Sequence, residues 1–287
     1  MSIQTLGVVG AGQMGAGIAQ VAAQAGLNVV VTDINDGFLE RGRKAMADSL
    51  ARLVKKETIA PAAADEAQKR VTFALHLAAH AKADFVVEAV SENEALKRKV
   101  LAELDGIVGA HAILASNTSS ISITRLAAST KRPDRFIGMH FMNPVPMMKL
   151  VEVIRGMATS DDTYAQTRDL AVRLGKTTTM SRDYPGFLAN RILMPMINEA
   201  FTALMEGVGS AEDIDTTMKL GMNHPMGPLV LADFIGLDTC LAIMEVLHGG
   251  FADPRYRPCP LLRQYVDAGW LGKKAGRGVY KYDGGAR

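Results

Sequence analysis

The stretch HFMNPVPMMKLVEVI places His140 and Glu152 twelve positions apart in a run otherwise made of Met, Pro, Val, Leu, Ile, Phe, Asn and Lys. A neutral imidazole can take the proton of a substrate hydroxyl, and a carboxylate on its other nitrogen would hold the ring in the tautomer that does so. Such a pair suits reversible oxidation of an alcohol, in which hydride leaves carbon as the hydroxyl proton departs. Ser119 and Asn190 offer a hydroxyl and an amide to hold the reacting oxygen. A single histidine beside apolar residues is commonly a hydrogen-bonded structural residue. The surrounding elements therefore decide the reading.

Those elements begin with Thr5 to Gly10, a β-branched apolar run, followed by GAGQMGAGIAQVAAQAG, in which Ile18, Val21, Ala22 and Ala25 recur at helical spacing. A second run, NVVVT, ends at Asp33, which completes strand, glycine turn, helix, strand and acid in the order of a dinucleotide-binding unit. Gly10 is expected to make the turn, Gly12 to admit a pyrophosphate to the backbone, and Gly15 to let helix and strand pack. Gln13 and Met14 open the helix, whose free N–H groups would face the phosphates. Asp33 would accept the adenosine ribose hydroxyls and repel a 2′-phosphate, which favours NAD over NADP.

Further strand-like runs at Asp84 to Val90, Ala112 to Asn117, Arg135 to His140 and Lys149 to Ile154 predict a mostly parallel, Rossmann-like sheet. Ligands of such sheets lie beyond the carboxyl ends of the strands, where Glu88 to Glu92, Asn117 to Ser119 and His140 to Asn143 all fall. At Pro185-Gly186 the pattern changes to long helical segments. The chain thus reads as an α/β domain over 1–184 followed by an all-α domain over 185–287. About a hundred residues of mostly apolar helix predict burial against a second copy. The methionines of that region, among them Met205, Met222 and Met244, read as adaptable core packing.

The 287 residues are 48% hydrophobic and 22% charged with net charge +2, which gives no footprint for nucleic acid. No apolar run is long enough to cross a membrane. Cys240 and Cys259 fit neither a disulfide framework nor a metal site, and Cys259 reads as a loop thiol. No basic region or long apolar stretch precedes Thr5, so the cytoplasm is the expected location. His76 and His80 are four apart, but no glutamate of an HExxH pattern and no third ligand accompany them, so no metal is expected. The clusters Arg52 to Lys56 and Lys97 to Lys99 are compact and basic in a nearly neutral chain, as a CoA pyrophosphate or 3′-phosphate would want.

The segments GVVGAGQMGAGIAQ, SNTSSISIT, RFIGMHFMNPVPMMKLVEVI, PGFLANRI, GMNHPMGPLVLADFIGLDT and GWLGKKAGRGVYKY together resemble the short-chain L-3-hydroxyacyl-CoA dehydrogenases over nearly the whole length, nearest the bacterial 3-hydroxybutyryl-CoA branch. The resemblance implies NAD-dependent interconversion of (S)-3-hydroxyacyl-CoA and 3-oxoacyl-CoA by a homodimer. It implies His140 as acid/base, Glu152 as its partner, and Ser119 and Asn190 at the reacting oxygen. It further implies that Asp33, Glu92, Lys97, Asn143 and Lys274 contact NAD and that Ser49 and Lys56 contact CoA. Tyr184 departs from the smaller residue expected before Pro-Gly. Within the same resemblance stand three alternatives: 3-hydroxyadipyl-CoA as substrate, a free sugar acid such as gulonate, and a crystallin-like NAD-binding protein without activity.

Overall fold

The computed structural model describes residues 3–282, and the chain divides into two compact units, Met1–Tyr184 and Pro185–Arg287. The first unit runs β1 (Thr5–Val9), α1 (Gln13–Gln24), β2 (Asn28–Thr32), α2 (Asp36–Lys55), α3 (Pro61–Lys69), β3 (Val71–Ala74), β4 (Phe85–Glu88) and α4 (Glu94–Ile107). It continues with β5 (Ile113–Ser116), α5 (Ile123–Ala127), β6 (Phe136–Phe141), β7 (Leu150–Arg155), α6 (Asp161–Arg173) and β8 (Thr177–Arg182). The strands form one eight-stranded sheet in the order β3-β2-β1-β4-β5-β6-β7-β8. Its first six strands have the dinucleotide-binding order, with the switch point between β1 and β4.

The central strands are apolar on both faces, as a sheet covered by helices on both sides requires. Leu6, Val8, Val29, Val31, Phe85, Val87, Ile113, Ile137 and Val153 are all buried. Parallel register sets Val9 against Glu88, Glu88 against Ser116, and Ser116 against Gly138, which aligns the carboxyl ends of β1, β4 and β5 along one edge and lets β6 run on past it to Phe141.

One pairing departs from the parallel rule. The connection Met142 to Lys149 is too short for a crossover, and β6 and β7 pair antiparallel. β8, TTTMSR, is largely exposed and polar, with only Ser181 buried, so it carries none of the apolar alternation that marks the other strands.

The second unit comprises α7 (Ala189–Met205), α8 (Ala211–Thr216), α9 (Pro228–Ile235), α10 (Leu237–Phe251) and α11 (Pro260–Asp267). Its core gathers Met194, Ile197, Phe201, Leu229, Leu237, Cys240, Met244, Leu247 and Leu262. The methionine expectation needs correction: Met194 and Met244 are buried, whereas Met205 and Met222 are exposed. Cys259 does stand in the loop just before α11, but it is buried there, with its N–H donating to Asn198 Oδ1 at 2.7 Å. Asp215 receives the Leu229 and Val230 N–H groups at the start of α9, and Asp233 receives those of Val279 and Tyr280, which ties the chain's last described strand-like turn onto the helices. Among the described residues no helix is long and apolar enough to cross a membrane.

Candidate active site

The glycine loop between β1 and α1 has the space that a phosphate group needs. Gly10 has φ +103°, and a Cβ there would meet the Ala89 carbonyl oxygen at 2.6 Å. A Cβ on Gly15 would lie 1.7 Å from the Gly10 oxygen, so strand end and helix touch backbone to backbone. Gly12 is different. It is exposed, and a Cβ on it would meet nothing within 4 Å. No side chain caps the first turn of α1 and no acidic residue stands in it, so its N–H groups and dipole are available to an anion. Gly12 and Gln13 line a cavity of about 570 Å³ together with Ser49, Arg41, Arg52 and Asn143. These features fit a dinucleotide.

Asp33, just past β2, is tied to the same loop: its Oδ2 accepts the Ala11 N–H at 2.7 Å and its Oδ1 accepts the Ile34 N–H at 2.7 Å. Each oxygen keeps acceptor capacity for a ribose hydroxyl. Met14 is half-buried against the core of the first unit. The peptide between Asn143 and Pro144 is cis, in the loop that follows β6.

His140 and Glu152 are direct cross-strand partners in the antiparallel β6–β7 pair. Nδ1 of the ring lies 3.2 Å from Glu152 Oε2, and both residues are buried. Adjacent strands held in register thus bring together residues twelve apart in sequence. The neighbouring strand supports the same edge, since Asn117 Oδ1, just past β5, accepts the Phe141 N–H at 2.9 Å.

Ser119 lies in the loop after β5, whose shape is set by Glu92. Glu92 Oε1 accepts from the Ser119 N–H at 3.0 Å, from Ser120 Oγ at 3.1 Å and from Thr118 Oγ1. Burial pushes the Glu92 carboxyl up, but Lys97 and the Thr118 and Ser119 donors outweigh it and leave it below the ordinary carboxylate range. Beyond the loop, Asp183 accepts the Ile123 and Thr124 N–H groups and the Ser122 hydroxyl, which pins the start of α5.

Lys97 corrects one expectation from sequence. It does not offer its charge to a CoA phosphate as part of a surface basic cluster: its side chain is 1% exposed, with Nζ 2.8 Å from Glu88 Oε1 and 3.3 Å from Glu92 Oε2. Of the residues expected at CoA, Ser49 lines the cavity, whereas Lys56 is exposed just past the end of α2 and does not. Arg41 and Arg52 share the cavity wall with Ser49. Asn190 and Lys274 belong to the second unit, Asn190 in the first turn of α7 and Lys274 held on Asp238 at 2.6 Å. His76 is the extended residue before a 3-10 turn, Leu77–Lys82, and His80 lies within that turn, so no α-helix places the two on one face. His80 is fully buried against Thr32 Oγ1 at 2.8 Å, and burial lowers it to about 4.

The family model described as 3-hydroxyacyl-CoA dehydrogenase, NAD binding domain, matches residues 5–184, and the one described as its C-terminal domain matches residues 186–282. The chain belongs to the 3-hydroxyacyl-CoA dehydrogenase family. It is 56% identical over 282 residues to the 3-hydroxybutyryl-CoA dehydrogenase of Bradyrhizobium diazoefficiens, covering 98% of this chain and 96% of that one. A probable 3-hydroxybutyryl-CoA dehydrogenase of Bacillus subtilis is 56% identical over 283 residues, 99% of each chain. Among solved structures, the (S)-3-hydroxybutyryl-CoA dehydrogenase of Ralstonia eutropha is 57% identical with a TM-score of 0.96, covering 98% of this chain and all of that one. As a member of this family, the chain is an NAD-dependent oxidoreductase with a Rossmann-like domain followed by a helical one.

Proposed function

We propose that the chain interconverts (S)-3-hydroxybutyryl-CoA and acetoacetyl-CoA, with His140 and Glu152 as its acid/base pair. The observation that carries this reading is the 3.2 Å contact of His140 Nδ1 with Glu152 Oε2, set by strand register on the edge that also holds the glycine loop. A carboxylate accepts only, so Nδ1 carries the ring's proton and Nε2 is the basic nitrogen of that tautomer. In the oxidation His140 Nε2 takes the hydroxyl proton as the C3–H bond gives up its electron pair; in the reduction it returns that proton to the forming alcohol. Glu152 holds the ring orientation and stabilises the imidazolium. When bound, NAD⁺ supplies the hydride acceptor.

Ser119 and Asn190 are assigned to the reacting oxygen by their motif positions. Gly10, Gly12, Gln13, Met14 and Gly15 form the pyrophosphate loop, and Asp33 receives the ribose. Glu92, Asn143 and Lys274 are placed on the cofactor side from their motifs, and Lys97 with them, through Glu92. For the CoA moiety we assign Ser49, with Lys56 at the end of the same helix; Arg41 and Arg52 add positive charge to the cavity wall beside Ser49. The first unit, 1–184, is thus the NAD-binding domain and 185–287 the substrate and dimer-forming one. Exposed Ile192, Val208, Leu220 and Phe234 on the second unit support a homodimer formed through it. Both cysteines are buried free thiols, which suits the cytoplasm.

The test follows NADH consumption with acetoacetyl-CoA beside free acetoacetate, 3-oxoadipyl-CoA and NADPH. Rapid turnover confined to acetoacetyl-CoA and NADH is expected. Equal turnover of free acetoacetate would remove CoA from the reading, and faster turnover of 3-oxoadipyl-CoA would change the acyl group.

A further inference from the structure

Glu88 enters none of the assignments above, yet it is the most enclosed carboxylate at the carboxyl edge of the sheet. It closes β4, is 0% exposed, and satisfies both of its oxygens inside the protein. Oε1 accepts from Lys97 Nζ at 2.8 Å and from the Val90 N–H at 2.7 Å; Oε2 accepts from Ser116 Oγ at 2.6 Å. A buried carboxylate costs several kcal/mol in desolvation unless it is paired and hydrogen-bonded. Here it is both.

The ammonium of Lys97 has three N–H donors. Three protein oxygens surround it: Glu88 Oε1 at 2.8 Å, the Val90 carbonyl at 3.1 Å and Glu92 Oε2 at 3.3 Å. With every donor matched to a protein acceptor, Lys97 acts on its surroundings through Glu92. Glu92 turns its other oxygen to Thr118, Ser119 and Ser120 and so gathers the loop after β5. One continuous chain of contacts therefore leads from Glu88 through Lys97 and Glu92 to Ser119.

We propose that Glu88 is a positioning residue for the dehydrogenase reaction: it fixes the Lys97 ammonium, which fixes Glu92, which sets the Ser119 hydroxyl. The inference rests on the dehydrogenase reading above. The physical reason lies in charge. Two carboxylates share one ammonium, and the deeper of them decides where that ammonium sits. In a Glu88→Gln protein Glu92 becomes the only carboxylate beside Nζ, so the ammonium moves toward Glu92 Oε2 and draws the carboxylate away from Ser119.

The experiment is a double-mutant cycle on the full chain with Glu88→Gln, Glu92→Gln and the pair, reading kcat for acetoacetyl-CoA reduction, NADH affinity and thermal midpoint. Glu88→Gln is expected to lower kcat about tenfold in the parent and by less than about twofold in the Glu92→Gln background, because residues in one network couple. A residue that serves only the fold would lower the thermal midpoint and reduce kcat by the same factor in both backgrounds. That result, or a Glu88→Gln protein with parental kcat, overturns the proposal. Should Glu88→Gln fail to fold, Glu88→Asp keeps the charge and withdraws the carboxylate from Nζ by one methylene; its loss of about threefold must also vanish in Glu92→Gln. An active parent with background-independent losses sinks this inference alone. A parent silent with every CoA thioester while binding NADH sinks the dehydrogenase reading and this inference with it.

Discussion

Gly12 and Gly15 stand three residues apart in one loop, and a methyl group placed on each tests two different physical roles. At Gly12 the backbone has φ −67° and ψ −173°, which any residue adopts, and the new Cβ would meet nothing within 4 Å. Gly12→Ala is therefore expected to fold, with its unfolding midpoint unchanged or raised by the ~0.4–1 kcal/mol that a compatible Gly-to-Ala change contributes through the unfolded chain. The same methyl stands in the space left open in front of the first turn of α1. If it removes two charge-assisted bonds between backbone N–H groups and the pyrophosphate, at about 1.5–3 kcal/mol each, NADH binding weakens by about 3–6 kcal/mol, a hundredfold or more. Gly15→Ala puts its Cβ 1.7 Å from the Gly10 oxygen, so α1 must move off β1 and folding itself suffers. The assay pairs thermal unfolding with an NADH fluorescence titration on both variants. A folded Gly12→Ala that binds NADH as tightly as the parent would refute the loop's role. A folded, stable Gly15→Ala would refute the backbone contact.

Other outcomes follow from the same geometry. His140→Asn is expected to lose ~10²–10⁴ of kcat with NADH binding retained, and Glu152→Gln to lose turnover while remaining folded; stopped-flow and circular dichroism check both, and normal turnover in either sinks the dyad. Asp33→Ser should weaken NADH binding and narrow the preference over NADPH, measured as the ratio of kcat/KM values; an unchanged ratio would place ribose recognition elsewhere. His80 has a folded pKa of about 4 against an ordinary 6.5, so the unfolded chain takes the proton first. The cost is absent above about pH 6.5 and grows as pH falls toward 4, reaching roughly 2 kcal/mol at pH 5. Urea midpoints at about pH 7 and 5 should differ more for the parent than for His80→Gln by that amount, and equal differences would contradict it. Light scattering of the full chain should give a dimer, and a monomer at assay concentration would contradict the proposed homodimer.

The α/β fold was legible because its signals are local. β1, α1 and β2 announce themselves by periodicity and glycine spacing, and β4 to β7 by β-branched runs bounded by polar residues. β3 and β8 are the strands the sequence hides: β3 is a four-residue edge strand whose Val71 and Phe73 are only partly buried against the core, and β8 is half Thr on an exposed edge and presents no apolar face. His140 and Glu152 were legible as a pair of residue types, but their antiparallel pairing was visible only in the shortness of the Met142 to Lys149 connection. Lys97 shows the opposite limit. Its neighbours Arg98 and Lys99 make it look like one of a solvated group, and only the arrival of Glu88 from β4 and Glu92 from the following loop reveals an enclosed ammonium. Glu88 and Ser116 lie 28 positions apart and meet only because parallel register sets them side by side, a relation that no spacing rule along the chain encodes.

The β6–β7 hairpin also decides where this chain can change length. One residue inserted inside either strand would turn the side chains beyond it to the opposite face of the sheet, and the imidazole and its carboxylate would part. An insertion within Met142 to Lys149 leaves the pairing of His140 with Glu152 untouched, since the register is held by the ladder on either side and the loop absorbs the added length. Variation in the number of residues is thus excluded from the two strands and permitted between them, so lengthening of that loop can remodel the ground beside the histidine without disturbing the histidine itself.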